Sequence, residues 1–190
     1  MAKNLRCDIE LAKSARGNGA VLYSGRIPQA DQQDIIDAEG GVANGTFVEL
    51  GDLEAGQREI HVAVKPTGSK PTYIVMRGEV NPAQYTKSDA EFGKFRTKAD
   101  HALTCILLQN GDYIGLSEDF FPALPAVGDV YNLDANFIAG TQLVAGAVAA
   151  GTFSLKVVEV QASSLINYIV GDGSGAMAQP YKMISLEVIC

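Results

Sequence analysis

From Asn44 onward the chain consists of short apolar or alternating runs, each closed by Gly, Asn, Asp or Pro, and this punctuation constrains the fold more than any other feature. Runs of this length between turn formers read as β-strands. They fall at Thr46–Leu50, Glu59–Val64, Thr72–Arg77, Ala102–Leu108, Tyr113–Leu116, Asp129–Leu133, Thr152–Val160, Ser164–Val170 and Tyr181–Ile189, about nine strands in all. Asn110-Gly111 sits between two apolar runs and supplies the positive-φ residues of a tight turn, which predicts a hairpin from Cys105 to Leu116. Sustained helical periodicity is missing. Asp31 to Glu39 suits a short helix stopped by Gly40-Gly41, and Ser88-x-x-Glu91 has capping-box spacing that Gly93 interrupts. Strands that follow strands without helices between them point away from parallel βαβ units. The predicted fold is therefore mainly β, an antiparallel β-barrel or β-sandwich with an extended N-terminal arm.

The 190 residues suffice for one domain, with or without an appended arm. With 47% hydrophobic and 19% charged residues, the chain is too apolar for general disorder, and its core needs neither metals nor disulfides. The reading divides it into an arm over 1–30, a β-rich body over 31–136, and a last part over 137–190 that is either more of the body or a small second lobe. A net charge of −7 has the wrong sign for gripping phosphate backbones, which argues against nucleic acid as partner. The first twenty residues hold no apolar run of the kind a secretory signal needs. The most apolar stretch, Phe137 to Leu155, is broken by Gly140, Gly146 and Gly151, so neither export nor membrane insertion is expected. Cys7, Cys105 and Cys190 are odd in number and widely spaced, which fits a reducing compartment and suggests no disulfide framework or metal knuckle.

Candidate chemistry is sparse. His61 alternates with Ile60 and Val62 in a strand, and His101 follows Lys98 and Asp100 at a loop end; both read as structural or solvated positions. A Cys105–His101 nucleophile pair fails on reach, because an extended strand sets side chains four apart at roughly 13 Å. Gly171-Asp-Gly-Ser-Gly175 lacks the lysine and helix of a phosphate loop and reads as a strand connection. Asn44-Gly45-Thr46 matches a glycosylation acceptor but reads as a turn. Eight acids between Asp31 and Glu59 face only Arg58, a solvated face or electrostatic contact surface. No enzymatic activity, cofactor or metal is expected.

Two features suggest contact with another protein. Lys3, Arg6, Lys13, Arg16 and Arg26 outnumber Asp8 and Glu10 in residues 1–26, a basic, glycine-containing arm on an acidic chain. With Tyr23, these five are the candidate partner-binding residues. Ala139–Gly151 and Gly171–Ala178 are small, weakly polar segments suited to close approach.

Val42-x-Asn-Gly-Thr-Phe-Val-x-Leu50, Asn110-Gly-Asp-Tyr-Ile-Gly-Leu-Ser117 and Val127-Gly-Asp-Val-Tyr-Asn-Leu133 together resemble the head decoration (cement) and head-fibre proteins of tailed bacteriophages, over roughly residues 30 to 135. The resemblance implies a non-catalytic virion protein. It would bind the outer surface of an assembled capsid inside the host cytoplasm and clamp contacts between major capsid subunits. The partners so implied are the major capsid protein and further copies of the chain. The competing reading is a carbohydrate- or ligand-binding β module of a phage tail or baseplate, which the absence of Trp weakens and seven Tyr leave open.

Overall fold

The computed structural model describes residues 7–9, 22–28, 35–36, 41–67, 70–76, 96–134, 142–148, 151–161 and 182–189. In chain order the strands are β1 (Cys7–Ile9), β2 (Leu22–Arg26), β3 (Gly41–Ala43), β4 (Phe47–Leu53), β5 (Ile60–Val64), β6 (Thr72–Val75), β7 (Arg96–Lys98), β8 (Leu103–Leu107), β9 (Tyr113–Ser117), β10 (Val130–Leu133), β11 (Leu143–Ala145), β12 (Ser154–Gln161) and β13 (Met183–Ile189). Eight of the nine expected runs coincide with β4, β5, β6, β8, β9, β10, β12 and β13; Ser164–Val170 lies outside the described residues. So does the helix signal at 88–95, and of Asp31–Glu39 only Ile35 and Ile36 are described, in a turn and a bend. A single 3-10 turn, Glu118–Phe120, is the helical element among the described residues.

Five strands close a barrel in the order β2-β5-β4-β6-β8, and six form an open sheet in the order β1-β9-β13-β12-β10-β11. β3 and β7 make a separate two-stranded ribbon. Every pair is antiparallel except β2 with β5. That exception is forced, because directions cannot alternate all the way round a ring with an odd number of strands.

Alternation along three barrel strands builds two cores. Val48, Val75 and Cys105 belong to the barrel's own cluster with Ala63, Leu103, Val42, Ile27 and Ile35. Their neighbours Phe47, Ile74 and Ile106 point the other way, into a second cluster with Ile114, Leu116, Leu155, Ile184, Leu186 and Val188 from the six-stranded sheet. Phe47 is completely buried there and meets the Phe153 ring at 5.8 Å. Gly25 lets the narrow barrel close, since a Cβ on it would lie 3.0 Å from Cys105 Sγ and 3.2 Å from Leu50 Cδ2.

One sequence expectation changes. The Asn110-Gly111 turn forms, with Gly111 at φ +85° and Asp112 N–H donating to Gln109 O at 3.0 Å, but β8 and β9 do not pair. Both edges of β8 are taken by β2 and β6, and both edges of β9 by β1 and β13, so the turn is a corner from barrel to sheet and not a hairpin. Within the stretch 1–30 read as an arm, Leu22–Arg26 is a barrel strand and Cys7–Ile9 an edge strand of the sheet, and residues 1–6, 10–21 and 29–30 lie outside the described residues. The apolar periodicity that would have shown this is lost in runs of three to five residues. From the last part of the chain, β12 lies between β10 and β13 in that same sheet.

Candidate functional site

Of the six candidate contact residues, Tyr23 and Arg26 are described; Lys3, Arg6, Lys13 and Arg16 lie outside the described residues. Arg26 is already matched within the chain. Its Nη1 lies 3.0 Å from Glu54 Oε1 and 2.9 Å from Oε2, with about a quarter of each side chain exposed. Tyr23 faces the barrel interior with Tyr73 and His61. Its ring meets Tyr73 edge-on at 5.3 Å and His61 at 6.2 Å. His61 Nδ1 is 3.0 Å from Gly51 O, a contact that requires the proton on Nδ1. Burial, then the nearby Tyr23 and Cys105, raise the Tyr73 phenol above its ordinary value.

The catalytic candidates do not assemble. Burial pushes the Cys105 thiol up to about 12 against the opposing effect of a Gly25 backbone hydrogen bond, so it stays a neutral core group. His101 is exposed at a bend, outside the barrel core that holds Cys105. Asn44 is buried in the turn before β4. Gly171–Gly175 lies outside the described residues, and among those that are described no group of three His, Cys, Asp or Glu side chains could hold a metal ion.

Of the small-residue segment 139–151, residues 142–148 and 151 are described. β11 pairs with β10 alone and is the last strand of the sheet. Gly146 N–H donates to Val130 O at 2.9 Å and Asp134 N–H to Gln142 O at 3.0 Å, which fixes the phase of the ladder. In an antiparallel ladder hydrogen-bonded and open positions alternate. Residues 142, 144 and 146 therefore turn their main-chain groups toward β10, while Leu143 and Ala145 turn theirs away from it, Leu143 buried and Ala145 exposed.

Side chains hold this edge in place. Gln142 is buried, and its Oε1 accepts the Phe47 N–H at 2.7 Å, tying the start of β11 to barrel strand β4. Asn132 Nδ2 donates to Ala147 O at 3.2 Å, and Asn132 Oδ1 accepts from Ser154 Oγ at 2.8 Å, tying its end to β10 and β12. A Cβ on Gly146 would collide with the Asn132 amide, which would have to shift to make room.

Most of the large exposed hydrophobic residues among those described lie in or beside three neighbouring strands. Of seven large exposed hydrophobic residues among those described, Leu124, Val127, Val144, Val148 and Val158 belong to β10, β11, β12 or the segments that flank them. β12, β10 and β11 are consecutive at one side of the sheet. The sequence marks Ala139–Gly151 by its lack of charge, whereas nothing in the local pattern marks Leu124 and Val127. Searches against family models, curated proteins and solved structures gave no match.

Proposed function

We propose that the chain is a structural virion protein of a tailed phage. It sits on the outer surface of the assembled capsid and stabilises contacts between major capsid subunits. The observation that carries this reading is the gathering of Leu124, Val127, Val144, Val148 and Val158 at the β12-β10-β11 side of the sheet. Apolar groups collected on one side of a domain are the ordinary sign of a protein-binding face. The three motifs that resemble decoration proteins support it from another direction. They form β3 to β4, the 110–111 corner from barrel to sheet with β9, and the turn into β10, the last of which carries Val127. Lys3, Arg6, Lys13 and Arg16 add a basic N-terminal contribution, whereas Arg26 is spent on Glu54.

The test is occupancy on heads of the encoding phage. Leu124→Glu with Val127→Glu places two charges in an exposed turn without touching the core and is expected to reduce bound copies at least tenfold. Unchanged occupancy by this folded variant overturns the reading. The basic residues are tested by changing all four to Gln, with the loss relative to the parent largest at low salt and shrinking as salt is raised. Truncation through residue 26 is unsuitable because it removes barrel strand β2.

A second reading, a carbohydrate- or ligand-binding module, draws on the partly exposed Tyr23, Tyr73 and His61 at the barrel. Glycan binding that is abolished by Tyr23→Ala, without head binding, would select it instead.

A further inference from the structure

We propose that Asn110 is a self-modification site that the end of β13 keeps shut: when the corner at 109–112 parts from Val188, the Asn110 side-chain amide converts to a carboxylate. The proposal rests on main-chain geometry and does not depend on capsid binding. Asparagine is chemically labile, most of all before glycine, because a residue without Cβ lets its main-chain nitrogen approach the asparagine Cγ. In that reaction the Gly111 N–H gives its proton to solvent and its nitrogen bonds to Asn110 Cγ. The bond from Cγ to the side-chain nitrogen breaks, that nitrogen takes up a proton, and ammonia leaves. Water then opens the cyclic imide. Addition at Cγ yields aspartate, and addition at the main-chain carbonyl yields isoaspartate, whose chain runs through Cβ and Cγ.

The chain has Asn-Gly pairs at 18, 44 and 110, and the last two are described. At 110 the side chain is exposed, and nothing lies within 4 Å of where a Gly111 Cβ would sit, so solvent reaches the pair. The nitrogen that must react is held. Gly111 N–H donates to Val188 O at 2.9 Å, and Val188 N–H donates back to Asp112 O at 2.8 Å, which fixes the corner against the end of β13. Within the corner Asp112 N–H donates to Gln109 O at 3.0 Å and Gln109 N–H to Asp112 Oδ2 at 2.8 Å. A main-chain proton bonded to a carbonyl is released only when that bond opens, and a nitrogen fixed in this way does not swing to Cγ, so Asn110 reacts through opening of the corner. Asn44 is shut more deeply. Gly45 N–H donates to Val75 O at 2.8 Å, Asn44 is buried, and its turn lies against Phe120, Cys7 and Leu116 of the core between barrel and sheet. Freeing Asn44 requires that core to part, whereas freeing Asn110 requires only the corner and the end of β13 to separate. Conversion is one-way in its effect. Isoaspartate lengthens the main chain between Gln109 and Asp112, whose two mutual bonds span it, and either product adds a negative charge close to Asp112, so a corner that has reacted closes less well.

The experiment is peptide mapping by mass spectrometry of the full chain, aged in mildly alkaline buffer over a urea series that runs from none to complete unfolding. Amide hydrogen exchange at Gly111 is followed by NMR under the same conditions. In buffer without urea Asn110 is expected to convert at least tenfold more slowly than in the unfolded chain, yet at least threefold faster than Asn44. Its rate is expected to rise with urea in step with Gly111 exchange, since one opening frees the same N–H for both. Val188→Ala thins the packing at the end of β13 and is expected to speed Asn110 conversion at least threefold with the far-UV circular dichroism unchanged. A folded-chain rate at Asn110 within about twofold of the unfolded rate would overturn the proposal, as would equal rates at Asn44 and Asn110 in the folded chain. Gly111 exchange that does not follow conversion, or a folded Val188→Ala that converts like the parent, would overturn it as well.

Discussion

Gly45→Ala should destabilise the fold by far more than the same change at Gly56, and the comparison isolates one contact. Both glycines have positive φ, +90° at Gly45 and +81° at Gly56, so alanine meets a similar backbone penalty of about 1–2 kcal/mol at either site. At Gly56 nothing lies within 4 Å of the new Cβ. At Gly45 the Cβ would lie 2.7 Å from Phe120 Cζ, 3.0 Å from Cys7 Cβ and 3.1 Å from Leu116 Cδ2. Phe120, Cys7 and Leu116 all belong to the cluster that joins sheet to barrel, so none can retreat without opening that core. Overpacking of this kind adds about 1–3 kcal/mol. Gly45→Ala is thus expected to cost about 2–5 kcal/mol and Gly56→Ala about 1–2 kcal/mol. Urea unfolding at equal m-values measures both. Losses equal to within about 0.5 kcal/mol would refute the claim that the turn before β4 is wedged between barrel and sheet.

Two further outcomes follow from individual contacts. Arg26→Ala should lower stability by about 0.5–1 kcal/mol, because the Glu54 pair is partly exposed, and should leave head occupancy unchanged since its charge is used within the chain; a large loss of occupancy would contradict this. The buried Cys105 thiol stabilises the fold fully below about pH 9, where the unfolded thiol is also protonated. That contribution is lost as pH rises through about 12, since the unfolded chain releases its proton first. Denaturant unfolding should therefore show stability falling across this window with a slope of up to about 1.4 kcal/mol per pH unit from this group. Cys105→Ala should be less stable yet flatter over the same range, and an unchanged slope would refute the assignment.

What could be read from the sequence was local. Val and Ile runs bounded by Gly, Asn and Pro identified most of the strands, and the alternation Met183 to Ile189 marked a strand with one buried face. What could not be read was pairing. Asn110-Gly111 has the residues of a hairpin turn, yet it links two strands whose edges are all occupied by more distant partners. β3, β7 and β11 are only three residues long, too short for any period to declare itself. The contact surface divides the same way. Ala139–Gly151 stands out by lacking charge, but the place of Leu143–Ala145 as the last strand of the sheet depends on Gln142 reaching Phe47 and Asn132 reaching Ala147, contacts that no local pattern encodes. Arg26 looked like an anchor on charge alone, and Glu54, 28 residues away, could not be matched to it without the barrel.

Co-sedimentation of the purified chain with expanded heads and with unexpanded procapsids of the encoding phage, counting bound copies per major capsid subunit, tests the account most directly. The account predicts saturable binding to expanded heads at a fixed ratio, abolished by Leu124→Glu with Val127→Glu. Absence of binding to either particle would contradict it.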